Sequence, residues 1–203
     1  MKSQFQESAL ILVDIQNDFC PGGALGVNEG DQIVPTVNRL IPEFPLVIST
    51  QDWHPPNHTS FKQQGGPWPP HCVQGTSGAE LHPGLRTDTI AHHFRKASSP
   101  EKDDYSEFEG KDAQGRSLDE LLKSQGVNTL YVVGLATDYC VLETVLDGIK
   151  YGYEVHAVTD AMRAVNVNPD DGEKALQKMV EHGAHLVTSD EVLSLAGNAA
   201  KAS

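Results

Sequence analysis

Apolar residues gather along the chain in short continuous runs, separated by longer stretches in which they recur every three or four positions. The runs ALILVD (9–14), PLVISTQ (45–51), TIAHHF (89–94), TLYVVG (129–134), EVHAVTD (154–160) and AHLVTS (184–189) read as strands. Their apolar positions are consecutive rather than alternating, which predicts strands buried on both faces, as in a parallel sheet. Helical spacing appears in DQIVPTVNRLIPEF (31–44), SLDELLKSQG (117–126), DYCVLETVLDGIKYG (138–152) and DDGEKALQKMVEHG (170–183). In the second of these, Ser117 stands as N-cap, Glu120 completes a capping box and Gly126 ends the helix. Alternation of the two patterns predicts one doubly wound α/β domain over 1–196, with GNAAKAS (197–203) as a loose tail. The break in the pattern is 52–88, rich in Pro, Gly and His and without periodicity; a loop that long inside a compact domain usually carries function.

Composition narrows the class. With 203 residues the chain is long enough for a substantial core. Fifteen Lys and Arg against 28 Asp and Glu give a net charge of −13, which repels phosphate backbones and anionic lipid. No run approaches a membrane span, and MKSQFQES lacks the features of a signal peptide. Cys20, Cys72 and Cys140 are too few and too scattered for a disulfide framework, so a cytoplasmic address is expected, with no nucleic-acid or membrane partner.

Three of the predicted strands deliver a reactive side chain at their ends. Asp14 closes the first, Lys96 the third, and Cys140 follows the fourth within LATDYC. In open α/β sheets, ligands bind outside the carboxyl ends of the strands. Thr137 or Asp138 as a cap would put Cys140 in the first turn of its helix, where free N–H groups and the helix dipole favour a thiolate. Lys96 would add positive charge, and Asp14 could accept the thiol proton. Each residue has a plainer reading on its own: Cys140 as core filler, Asp14 as a turn acid, Lys96 as a solvated cation. Their coincidence at three strand ends is what points to nucleophilic catalysis.

The long loop holds a second cluster. Asp52 and His54 lie two apart at the end of the second strand, and His71 sits in a stiff, Pro-rich stretch, WPPHCV (68–73). Two imidazoles and one carboxylate with open positions suit Zn²⁺, Fe²⁺ or Mn²⁺, while histidines that merely hydrogen-bond the loop would look the same. His58 reads as a loop residue, with a fourth ligand or a support to the ligands as the alternative, Cys72 as core, with a soft ligand as the alternative, and His82, His92 and His93 as structural.

Five segments together resemble the nicotinamidase branch of the isochorismatase-like cysteine hydrolases. They are ALILVDIQNDFCPGGAL (9–25), STQDWHPPNHTSF (49–61), WPPHCVQGTSGAELHP (68–83), FRKASSPEKDDYSEFEG (94–110) and VVGLATDYCVLETVLD (132–147). The resemblance implies a six-stranded parallel sheet with helices on both faces. It implies an amidase triad of Asp14, Lys96 and Cys140, with Asp52, His54 and His71 as ligands of one divalent ion, zinc first. Phe19 and Trp68, with Leu25 nearby, would wall a flat ring. A cis peptide before Ala136 would turn its N–H towards that of Cys140 to form an oxyanion hole. The implied reaction is nicotinamide hydrolysis to nicotinate and ammonia, as in NAD salvage, with pyrazinamide a further substrate. A related cysteine amidase on carbamoyl or ureido substrates, and a metal-hydroxide hydrolase, are the alternatives. Homo-oligomerisation is left open. Some relatives carry a further metal-binding histidine where this chain has Ser60 and Phe61. Arg163 is expected to brace the site loops through an ion pair, and 98–110 to serve as lid, subunit contact or plain solvated surface.

Overall fold

The computed structural model describes residues 5–201. Six strands, β1 (Ser8–Val13), β2 (Val47–Asp52), β3 (His92–Lys96), β4 (Thr129–Leu135), β5 (Glu154–Arg163) and β6 (His185–Val187), form one sheet in the order β3-β2-β1-β4-β5-β6. Every pairing is parallel. Five helices accompany them: α1 (Val34–Leu40), α2 (Leu118–Ser124), α3 (Leu142–Lys150), α4 (Asp171–Glu181) and α5 (Ser189–Lys201).

Strand side chains alternate between faces, so a run apolar at every position must be covered twice. In β1, Leu10 and Leu12 join a core with Val34, Val37 and Leu40 of α1 and Val192 of α5. Ala9, Ile11 and Val13 point the other way, into a core with α2, α3 and α4 through Leu121, Val145 and Met179. These five of the six β1 side chains are fully buried, and each large one contributes about 1.5–3 kcal/mol relative to exposure.

The expected strands are present, with β3 displaced so that it ends on Lys96. The first predicted helix shortens to α1, flanked by 3₁₀ turns at Gly30–Ile33 and Ile41–Glu43, because Pro35 and Pro42 each demand a first-turn position. Ser117 and Glu120 form the expected capping box, and Gly126 follows α2 with φ +69°. The chain is helical from Ser189 through Lys201, so α5 enters the segment expected to be a loose tail; residues 202–203 and 1–4 lie outside the described residues.

Strand order reverses at β1 and β4, where the chain turns from winding one way to winding the other. This junction is tight. Gly134 on β4 registers with Val13, has φ +123°, and any side chain there would collide with the Val13 carbonyl. The carboxyl ends of β1 to β4 therefore converge on one crevice, the place where open α/β sheets bind ligands.

Candidate active site

Lys96 is the last residue of β3 and registers with Asp52, the last of β2. Its ammonium donates to Asp14 Oδ2 at 2.8 Å, to Asp52 Oδ1 and to Cys140 Sγ at 3.5 Å. Asp14 leaves β1 with φ +46°, its N–H donating to Thr50 Oγ1 on β2. Asp14, Lys96 and Cys140, which neighbour no one another in sequence, are buried together.

Cys140 does not sit in an ordinary first turn. Thr137–Val141 is a single π turn that runs into α3, with the Ala136 carbonyl accepting from both Tyr139 and Val141 N–H. Neither Thr137 nor Asp138 caps the helix. Asp138 instead accepts from the backbone N–H groups of Val165 and Asn166, both at 2.8 Å, and so ties the loop after β5 to the turn that holds Cys140. The Leu135–Ala136 peptide is cis.

Charges here follow burial and Lys96. Burial pushes the Asp14 carboxyl up, against the pull of Lys96. Burial would raise Asp52 too, but Lys96 and His54 outweigh it and hold this carboxyl well below the usual range. Burial alone would lower Lys96, yet Asp14 and Asp52 keep it charged. Burial also raises the Cys140 thiol, with Lys96 opposing, so the resting sulfur carries its proton and needs a base to lose it. A carboxylate stands close enough to take it: an Asp14 oxygen, an Asp52 oxygen and Sγ lie within 4.8 Å of one another.

The second cluster forms beside the first. A bridge between His54 and Val73, with His54 N–H donating to Cys72 O, lays the His71 segment against the end of β2. His54 Nε2 and His71 Nε2 lie 3.3 and 3.9 Å from Asp52 Oδ2. Their Nδ1 atoms face the Ala97 and Pro69 carbonyls, at 3.3 and 2.8 Å. Bonding Nδ1–H to a carbonyl leaves the Nε2 lone pair for a metal, the arrangement metal-binding histidines use. The three residues thus fit a divalent ion. His58 is a loop residue, as expected: Nδ1 pairs with Ser60 Oγ and Nε2 with the Lys102 carbonyl. Cys72 is buried core whose N–H donates to Asp18 Oδ2, and His82 and His93 pair with Gly84 N–H and Ser49 Oγ. Arg163 makes no ion pair among the described residues; its guanidinium donates to the Met162 carbonyl, which corrects the bracing role expected for it.

A tight cleft of about 40 Å³ joins the two clusters, and Phe19, Leu25 and Trp68 line it with Asp52, His54, His71, Ala136 and Cys140. A larger, open groove of about 900 Å³ runs along the β3 edge past Trp53, His93 and Arg95 and contains none of the reactive groups. Tyr105 and Tyr139 also line the cleft, and sequence reasoning missed them. Trp68 Nε1 donates to Tyr105 Oη at 3.1 Å and packs edge-on against Tyr139, with centroids 5.4 Å apart. Tyr139 stands one residue before Cys140, which was a usable signal; Tyr105 had none beyond its place in 98–110. Glu107, buried beneath Lys96, was likewise invisible, one acid among many in KDDYSEFEG.

Residues 8–191 match the model of the isochorismatase domain. The chain belongs to the isochorismatase-domain family. Within that family it is 46% identical over 200 residues to a nicotinamidase of Escherichia coli, an alignment covering 89% of this chain and 94% of that protein. A pyrazinamidase of Pyrococcus horikoshii, solved in complex with zinc, shares 46% identity and a TM-score of 0.81, over 90% of this chain and 99% of the other. A protein of L. infantum solved in complex with nicotinate has 37% identity and a TM-score of 0.85, over 94% and 96% of the two chains. The six-stranded parallel sheet with helices on both faces is therefore the isochorismatase-domain fold, as the sequence motifs implied.

Proposed function

We propose that the chain is a nicotinamidase, hydrolysing nicotinamide to nicotinate and ammonia through a thioester on Cys140. The observation that carries this reading is the shared cleft: Cys140, backed by the buried Lys96 and Asp14, lines the same aromatic-walled space as Asp52, His54 and His71. A planar heterocycle would lie between Phe19 and Trp68, with Leu25 at its edge and Tyr105 fixing the indole. Asp52, His54 and His71 would hold one divalent ion, zinc by analogy with the Pyrococcus relative or else Fe²⁺ or Mn²⁺, which when bound anchors the pyridine nitrogen directly or through water.

Asp14 takes the thiol proton, losing its own charge, while Lys96 neutralises the negative charge that grows on the sulfur. The sulfur attacks the carboxamide carbon, and the oxyanion rests on the backbone N–H groups of Ala136 and Cys140. Asp14 then protonates the departing ammonia, without which amide cleavage stalls. Water, deprotonated by Asp14, cleaves the thioester and releases nicotinate. Pyrazinamide fits the same description, since its ring offers a nitrogen in the equivalent place. The activity belongs to a cytoplasmic salvage enzyme.

The test is ammonia release from nicotinamide by the wild type and by Cys140→Ala, each before and after chelation with metal add-back. The expected pattern is an active wild type, weaker substrate binding after chelation, and a Cys140→Ala variant that is inactive yet still binds metal. An active Cys140→Ala would move the chemistry to the ion. A wild type inert towards nicotinamide but active on a carbamoyl or ureido compound would redirect the substrate and keep the nucleophile.

A further inference from the structure

Lys96 faces more acceptors than it has N–H groups. An ammonium donates three hydrogen bonds, and those of Lys96 go to Asp14, Asp52 and Cys140. Glu107 is a further acid aimed at it, with Oε1 3.7 Å from Nζ. Its side chain is fully buried, and neither carboxyl oxygen has a partner within full hydrogen-bond geometry among the described residues, the Thr50 hydroxyl reaching it only weakly. The backbone beneath it is fixed. Glu107 opens the 3₁₀ turn Glu107–Glu109, its N–H donates to Thr144 Oγ1 on α3, and the next residue, Phe108, is in the core. An unpartnered buried carboxyl costs about 1–3 kcal/mol that an apolar side chain would not. Burial, and then Asp14, push its pKa well above the usual carboxylate range, which favours the neutral acid, and in either state a carboxyl oxygen is open to a donor.

We propose that Glu107 is a positioning residue that receives the third hydrogen bond of Lys96 once Cys140 has been acylated. This rests on the thioester reading above. Before attack, the sulfur accepts from Lys96, most strongly as thiolate. In the thioester the same sulfur is bonded to the acyl carbon, carries no charge and accepts poorly. Lys96 is only 1% exposed, so an N–H released there has no solvent to turn to and would stand unpaired. A shift of less than about 1 Å brings Nζ within hydrogen-bond distance of Glu107 Oε1. Lys96 keeps its bond to Asp14 throughout, so the base stays aimed while water attacks. Without an acceptor at 107, the ammonium pulls harder on Asp14 and Asp52, and thioester hydrolysis slows while its formation does not.

The kinetic signature separates this from a structural role, because kcat/KM covers steps through the thioester and kcat also includes its hydrolysis. Glu107→Met keeps the volume and removes the acceptor; Glu107→Gln keeps an acceptor oxygen. With nicotinamide, Glu107→Met is expected to lower kcat about tenfold, roughly the worth of one hydrogen bond. KM should fall in parallel, leaving kcat/KM within about twofold. Intact-protein mass spectrometry at steady state should show a nicotinoyl adduct that Cys140→Ala abolishes, and Glu107→Gln should fall between Glu107→Met and wild type. If Glu107→Met fails to fold, Glu107→Gln against wild type gives the same split at smaller amplitude. Equal falls in kcat and kcat/KM, or no gain in adduct, overturn the proposal. A wild type inert towards nicotinamide overturns this and the functional reading together. An active wild type, a dead Cys140→Ala and Glu107 variants at wild-type kcat overturn this proposal alone.

Discussion

Replacing Lys96 by methionine tests the electrostatics of the site more searchingly than any other single change. The side chain is nearly isosteric, so the loss is chiefly one positive charge from a place that is 1% exposed. Its interaction with Asp14 at 2.8 Å is about 6 kcal/mol at an effective dielectric constant of about 20, most of it offset by the cost of burying both charges. Removing one partner of a buried pair usually costs about 3–5 kcal/mol, because the other is left uncompensated. For a chain of this size that lowers Tm by roughly 6–20 °C. The pH dependence should steepen at Asp14. Burial already holds its folded pKa above the unfolded value, near pH 4, against the pull of Lys96, and loss of Lys96 raises it further. A carboxyl with a raised folded pKa is penalised only above the unfolded value, and its stability is lost as pH rises through the folded one, so the variant loses more than the wild type as pH rises. Calorimetry of metal-stripped wild type and Lys96→Met from pH 4.5 to 8 should show their Tm values converging at the acid end and separating towards the alkaline end. Ammonia release should be severely reduced throughout. A constant Tm difference across that range would refute the argument that Lys96 is the counter-charge of the buried acids. A near-normal rate would remove it from the mechanism.

Other changes test other parts of the structure. His71→Ala should leave the purified protein substoichiometric in metal by elemental analysis and raise KM for nicotinamide; full retention of metal would remove His71 from the ligand set. Gly134→Ala should destabilise by more than about 1 kcal/mol, read as a lower urea midpoint, because the left-handed φ and the Val13 carbonyl both exclude a side chain; an unchanged midpoint would show that β1 and β4 can part without cost. The Asp112 carboxyl accepts from Gln114 N–H, Arg116 N–H and Arg116 Nε, and these bonds hold its pKa below the usual carboxylate range despite burial. Its contribution is therefore present above the unfolded pKa near 4 and is lost as pH falls through the folded one, so Asp112→Asn should be less stable than wild type at pH 6 and approach it near pH 3, measured as Tm.

Much of this was written locally in the chain. Runs such as ALILV announce strands covered on both sides, and Ser117 with Glu120 marks a helix start by a motif three residues long. Asp14, Lys96 and Cys140 could be singled out because each closes or follows such a run, and the sheet does the rest by bringing strand ends together. What stayed hidden was set by packing between distant segments. The turn around Cys140 is π because Ala136 O collects two N–H groups, and Asp138 is pulled away from capping by the loop at Val165 and Asn166, which no spacing near Cys140 reveals. Tyr105 and Glu107 sit five and three residues before Gly110 in a charged stretch that reads as solvated surface. Only the turn at Glu107–Glu109 decides that one lines the cleft and the other points beneath Lys96. The helix over 189–201 lacked a clear cue because its start is capped from β5, by Asp160 accepting from Ser189 N–H and Oγ.

Strand order also sets when during folding the chemistry becomes possible. Asp14, Lys96 and Cys140, the groups proposed to do the chemistry, come from the ends of β1 and β3 and the turn after β4, and β2 lies between the first two strands in the sheet. Parallel neighbours are joined by long crossovers, so each pairing closes a large loop and forms slowly compared with a hairpin. Recovery of catalysis after dilution from denaturant is thus a reporter of the four consecutive strands β3-β2-β1-β4 having docked in register. A spectroscopic signal from helix content would run ahead of it, and fragments lacking any one of these strands should be silent however much structure they regain.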